Sequence, residues 1–289
     1  MSGLRSDPRT EFAPDAQPQV GGPPSRTVRV ERIARVLAPL AIGLAALACW
    51  ELLVRVNDIP HYILPGPLLV LQSLIADWGT LWPSLLITLQ ITFMALAVAT
   101  IGGVGLAILF TTSKWIELSF FPFAVILQVT PIIAVAPLIL IYVDNTYAAL
   151  LICAWIVAFF PILSNTTLGL NSADHNLRDL FELYGASRWQ TLLHLRLPAA
   201  MPYFLGGLKI AGGLSLIGAI VAEFAAGTAG TGSGLAYRIL EAGYRLNIPR
   251  MFAAVLLISL TGVLIFTAFS LLSQLILRRW HESAVRRER

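Results

Sequence analysis

Charge is what this sequence has least of. Asp, Glu, Lys and Arg make up 12% of its 289 residues while hydrophobic residues make up 57%. Soluble domains carry about 25% charged and about 45–50% apolar residues. A chain this apolar cannot cover a water-facing surface with polar groups, which excludes a soluble enzyme, a disordered chain and a nucleic-acid-binding domain. The net charge of +4 does not restore the last, because the basic residues sort by loop. Cysteine is nearly absent: Cys49 and Cys153 each stand alone in an apolar run. That leaves no disulfide framework and no paired-thiol metal or redox motif, and both read as small buried hydrophobes. The four histidines, His61, His175, His194 and His281, show no ligand spacing. No glycine-rich stretch ends in Gly-Lys-Ser/Thr. The one glycine-rich run, Gly227–Gly234, lacks the lysine that would hold nucleotide phosphates and reads as a flexible outer turn. No catalytic residue, metal or cofactor is expected.

Long uncharged stretches are what the sequence does have. Nothing is charged from Trp78 to Ser113, Leu118 to Val143, Asn145 to Ala173 or Met251 to Leu277. Each exceeds the roughly 20 residues that a helix needs to cross a bilayer. Two further apolar stretches hold a few charges: Val36–Val56 with Glu51 and Arg55, and Tyr203–Ala226 with Lys209 and Glu223. The expectation is an all-α polytopic membrane protein of about six spans, at 36–56, 83–111, 117–142, 146–167, 203–226 and 251–277. Continuous apolar runs exclude an outer-membrane-type barrel, whose strands alternate. Residues 1–35 read as a disordered cytoplasmic tail rich in proline (Pro8, Pro14, Pro18, Pro23, Pro24), and 281–289 as a basic cytoplasmic tail. Between the first two spans, Leu68–Ile75 reads as a short surface helix.

Lys and Arg set the orientation. With both termini in the cytoplasm, every basic residue except Arg55, Arg238, Arg245 and Arg250 falls on the inner side. Three of those exceptions share one outer loop, where they read as a lure for an anion or for an acidic protein edge. The basic inner loops also suit anionic lipid.

Small residues at steps of four in the second span, Ala95, Ala99, Gly103 and Ala107, and the cluster Gly206, Gly207, Ala211, Gly212, Gly213, Gly218 and Ala219 in the fifth allow close helix approach. In the third span, Gln128 and Thr130 before Pro131 read either as lining a polar path or as part of a structural kink. Glu223 is an intramembrane carboxylate, which is costly unless it faces a cavity or a partner. It reads as a pathway or subunit-interface residue, with hydrogen-bonded packing as the other reading.

The most specific segment is 172–198, SADHNLRDLFELYGASRWQTLLHLRLP. Leu177, Leu180, Phe181 and Tyr184 recur on one helical face. Ser172 or Asp174 caps the start, Gly185 ends the helix, and a second amphipathic helix carries Trp189, Leu192 and Leu193. Gly185, then Leu195, Leu197 and Pro198, reproduces the spacing of the cytoplasmic loop of binding-protein-dependent ABC importer permeases, whose pattern is Glu-Ala-Ala, three residues, Gly, nine residues, Ile, one residue, Leu-Pro. Asp179 takes the Glu position. Leu180 and Phe181 depart from the two alanines. Three further stretches resemble the nitrate/sulfonate/taurine-type permeases: Asn57–Pro67, Phe160–Thr166 and Ala219–Phe224. The usual Trp-Phe-Gly ending of the third span is replaced by Ile141-Tyr142-Val143-Asp144.

The resemblance implies a type I ABC importer permease fold over 36–280 and a bacterial inner-membrane location. It implies a substrate pathway shared by two permease copies, a homodimer by family habit. Separate cytoplasmic ATPase subunits would dock on the 172–198 loop through Asp179, Glu182, Gly185, Ala186, Leu195, Leu197 and Pro198. An external solute-binding protein would deliver a small anionic or heteroaromatic solute such as a sulfonate, taurine, nitrate, or a pyrimidine or riboflavin relative. The alternative that the residues leave open is a secondary transporter driven by an ion gradient.

Overall fold

The computed structural model describes residues 26–227 and 232–278, and the residues described there are helical apart from short caps and turns. Helix α1 (Arg26–Val56) contains an apolar stretch, Leu37–Val56, long enough to cross a membrane. Its first turns correct one expectation: residues 26–35, read as part of a disordered tail, are helical. Once the apolar stretch has nucleated a helix, extending it through Val30 and Ile33 costs little. Residues 1–25 and the basic tail at 281–289 lie outside the described residues.

Helix α2 (Pro67–Ala76) takes the place of the expected surface helix, with Pro67 in its first turn, where a missing N–H costs nothing. Helix α3 (Trp78–Thr112) is a single 35-residue helix. Ala95, Ala99 and Ala107 are fully buried, and Gly103 is buried with them.

The third span differs most from its expected form. It consists of two helices, α4 (Lys114–Val129) and α5 (Ile132–Tyr142), that meet at 100°. Pro131 has no N–H to continue the helix and holds the preceding residue extended, with Thr130 at φ −68° and ψ 121°. The stretch 117–142 is therefore broken in mid-run. Among the described residues five helices are long and apolar enough to span, and six if the bent pair counts as one.

Helix α6 (Thr146–Asn171) packs along α9 (Leu197–Ala226) and also against α3. Glycine sets the α6–α9 distance. A Cβ on Gly169 would lie 2.8 Å from Ala200 Cα, one on Gly207 2.8 Å from Pro161 O, and one on Gly218 2.9 Å from Ala154 Cα. Backbones meet at three levels, and close packing replaces the hydrophobic drive that lipid cannot supply. Buried Ile162, Leu163 and Ala211 belong to one core cluster with Ala99 and Ala107 of α3.

Between α6 and α9 run α7 (His175–Leu183), α8 (Arg188–Thr191) and a π-turn at Leu192–Arg196. Helix α9 thus begins at Leu197, six residues before the expected span, with Pro198 in its first turn. Beyond α9 come α10 (Leu235–Tyr244) and α11 (Ile248–Leu277). Val70, Leu81, Leu85, Leu235, Ala253 and Leu257 form a shared core for α2, α3, α10 and α11.

Candidate functional site

Two constructions stand at opposite ends of α9. The first is the segment before it. Asp174 caps α7 by accepting from Asn176 N at 2.7 Å. The helix ends in a Schellman turn: Gly185 N donates to Glu182 O at 2.9 Å and Ala186 N to Phe181 O at 2.9 Å. The residue in the left-handed position is Gly185, at φ +68°. Ser187 then opens α8 with a capping box, accepting from Gln190 N at 3.3 Å while its own N donates to Gln190 Oε1 at 2.7 Å. The turn between the two helices is thus held by a Schellman pair on one side and a reciprocal capping box on the other.

What this corner displays is apolar. Leu183 is 84% exposed and Tyr184 83%, and Leu177, Leu180, Trp189 and Leu193 are exposed beside them. Asp179 and Glu182 are exposed on the same helix, Gly185 is exposed at its end, and Ala186 is half-buried. An amphipathic segment with its apolar face uncovered marks a surface for a partner or for lipid. Leu195 is buried, while Leu197 and Pro198 are half-buried.

The π-turn has a covalent cause. Pro198 cannot donate to His194 O, and its ring crowds that carbonyl, so the preceding turn widens. Leu197 N donates instead to Leu192 O, five residues back. Beside this turn a cavity of about 330 Å³ opens among Val104, Thr166, Leu193, Leu197, Pro198 and Phe204. Thr166 is buried, and its Oγ1 has no hydrogen-bond partner.

The second construction centres on Glu223, which is only 3% exposed. Its Oε1 accepts from Thr88 Oγ1 at 2.8 Å and its Oε2 from Ala236 N at 2.9 Å. Leu235 N donates to Thr88 Oγ1 at 2.9 Å. These two amides open α10, so a carboxylate from one helix and a hydroxyl from another together satisfy the orphan donors of a third. Gly234 makes room, because a Cβ there would overlap the Glu223 carboxylate. One turn along, Arg238 Nε donates to Ser84 Oγ at 2.9 Å, and Ser215 Oγ donates to Thr92 O at 2.7 Å. Thr88 and Ser84 were not singled out from the sequence. The signal was present: Ser84, Thr88 and Thr92 recur at steps of four and reach the small-residue stripe of α3 at Ala95 by a step of three.

Arg238, Arg245 and Arg250 each have a carboxylate partner. Arg238 Nη1 reaches Glu241 Oε2 at 2.8 Å, Arg245 Nη2 reaches Glu241 Oε1 at 3.0 Å, and Arg250 Nε lies 3.8 Å from Asp77 Oδ1. The hydrogen bond from Arg238, with the charges of Arg238, Arg245 and Arg250, holds the Glu241 carboxyl below its ordinary range against the opposing effect of burial. Of the other expected pathway residues, Gln128 is exposed and Thr130 Oγ1 donates to Ile126 O at 2.7 Å, inside its own helix. The structure brings neither near Glu223 by any hydrogen bond. No group of three or more His, Cys, Asp or Glu poised to hold a metal ion occurs among the described residues.

Residues 99–282 match the family described as binding-protein-dependent transport system inner membrane component. The chain is similar to a probable ABC transporter permease protein of Haemophilus influenzae, 32% identical and covering 84% of this chain and 98% of that one. It is similar to the formylaminopyrimidine transport permease protein ThiX of Halalkalibacterium halodurans (30% identical, 86% and 98% covered). It is also similar to the riboflavin transport system permease protein RibX of Chloroflexus aurantiacus (31% identical, 88% and 96% covered). Among solved structures it resembles an amino acid ABC transporter crystallised with histidines, at TM-score 0.57 and 20% identity over 72% of this chain and 97% of that one, which bears on the fold alone.

Proposed function

Because the chain belongs to the family of binding-protein-dependent transport system inner membrane components, as a multi-pass permease subunit of a type I ABC importer and not an enzyme, we propose that residues 172–198 are where its ATPase partner docks. The observation that carries this reading is the corner at Gly185. It is a turn capped from both sides, with Leu183 and Tyr184 uncovered on it. Asp179, Glu182, Gly185 and Ala186 meet the ATPase surface. Leu195, Leu197 and Pro198 are the root through which the corner's motion enters α9.

In this reading the corner and both termini are cytoplasmic, and α10 faces outward toward a solute-binding protein. Two permease copies, taken as identical, form the pathway. The Glu223 geometry supports the packing alternative raised for that residue, since both carboxylate oxygens are engaged within one chain. Gln128 and Thr130, at the 100° break between α4 and α5, remain the pathway candidates. An exposed amide beside freed backbone carbonyls suits a polar solute.

Within the small anionic or heteroaromatic solutes, the reading favours a heteroaromatic one. Two relatives that are at least 30% identical are named for formylaminopyrimidine and riboflavin transport. Arg238 and Arg245 share the one carboxylate of Glu241, and Arg250 faces Asp77, so much of the charge of an anion lure is already met within the chain. The test is ATP-driven accumulation by the complex in proteoliposomes with its binding protein. Labelled riboflavin and an aminopyrimidine, set against taurine and nitrate, decide the class. Accumulation of the anions alone overturns it.

A further inference from the structure

The Glu223 seat and the docking corner share one helix. Helix α9 is 30 residues long, about 45 Å at 1.5 Å per residue, and it runs without interruption from Leu197 to Ala226. Its first turn follows the segment that holds the corner, and its last turn carries the carboxylate on which α10 is seated. We propose that Glu223 is the positioning residue that couples α10 to α9, so that an event at the outer surface of α10 is felt at the ATPase-docking corner. The proposal rests on the reading of 172–198 given above.

Three features support it. The seat has no slack: Gly234 abuts the carboxylate, Leu235 and Ala236 are fully buried, and both oxygens of Glu223 are bound. The joint is polar in an apolar surround, so parting it leaves a carboxylate and two amides unpaired where no water compensates, and α10 and α9 therefore move together. The far end of α10 is open. Arg245 and Tyr244 are 70% and 86% exposed at its end, on a helix whose other face holds Leu235, Ala236 and Ala242 buried. Thr88 is part of the joint, since it links Leu235 N to Glu223 through one hydroxyl.

The experiment uses the complete importer in nanodiscs and reads the ratio of ATP hydrolysis with and without its binding protein. Glu223→Gln removes the charge and one of the two oxygen acceptors. Thr88→Val keeps the shape and removes the hydroxyl, and Thr88→Ser restores it. The ratio is expected to fall at least fivefold in Glu223→Gln and Thr88→Val and to return in Thr88→Ser. A ratio unchanged in the first two overturns the proposal. Hydrogen exchange on the wild-type complex decides the matter if those variants do not assemble. Adding binding protein is expected to change protection at Leu235 and Ala236 together with 185–197, and a change at α10 alone overturns the proposal. Wild-type hydrolysis indifferent to the binding protein would instead count against the importer reading itself.

Discussion

The carboxylate of Glu223 occupies the space in which a side chain on Gly234 would begin. Their contact lets α10 start against α9 and α3 at once. Gly234 has an ordinary extended φ of −80°, so space and not backbone freedom demands glycine here.

Gly234→Ala should therefore destabilise the protein although alanine fits the backbone. Displacing the carboxylate breaks its bonds to Thr88 and Ala236, at about 1–3 kcal/mol for a buried group left unpaired. Thermal unfolding in detergent checks this, and an unchanged melting temperature would refute it.

Two left-handed residues should respond in opposite senses. Gly185 at φ +68° has open space around it, so Gly185→Ala costs only backbone strain, about 1 kcal/mol. Leu246 holds the equivalent position after α10 at φ 56°, with Leu246 N bonded to Gly243 O and Asn247 N to Ala242 O. Leu246→Gly should relieve strain and raise stability by roughly 0.5–1 kcal/mol. Paired melting curves test both signs.

The α6–α9 seam should tolerate no side chain. Gly207→Val and Gly218→Val drive a β-branched group into backbone atoms of Pro161 and Ala154. Each should abolish monodisperse elution of the purified protein. Gly206→Ala, where a Cβ meets nothing within 4 Å, should elute as wild type.

Acid should loosen α10 only late. The Glu241 carboxyl lies below its ordinary range in the folded chain. The stability it contributes is full above the unfolded value of about 4.3 and is lost as pH falls through the lower folded value. The melting-temperature gap between wild type and Glu241→Gln should stay constant from pH 7 to about 5 and close below about pH 4. A gap that closes between pH 7 and 6 would contradict this.

The spans and the corner at Gly185 were legible because each rests on local chemistry: uncharged length, caps at fixed offsets, a glycine where φ must be positive. The small stripe of α3 was legible for the same reason. The break at Pro131 was half-legible, since proline announces a kink and the 100° angle belongs to the packing of α4 and α5. Glu223 stood out as a charge in a span. Its partners Thr88 and Ala236 are distant along the chain, and only the fold brings them to it. Arg238, Arg245 and Arg250 show the converse. Counted along the sequence they looked like free charge, and the fold pairs them with Glu241 and Asp77.

The central claim is that the corner at 172–198 holds the ATPase. The most direct test is a pull-down of tagged, detergent-solubilised protein from its native membrane, with ATP hydrolysis measured in the eluate. Gly185→Pro, which removes the N–H bonded to Glu182 O, and the Asp179→Lys/Glu182→Lys double variant run beside wild type. The account predicts an ATPase that elutes with wild type and is lost from both variants. Wild type eluting with no ATPase, or variants that retain it undiminished, would contradict it.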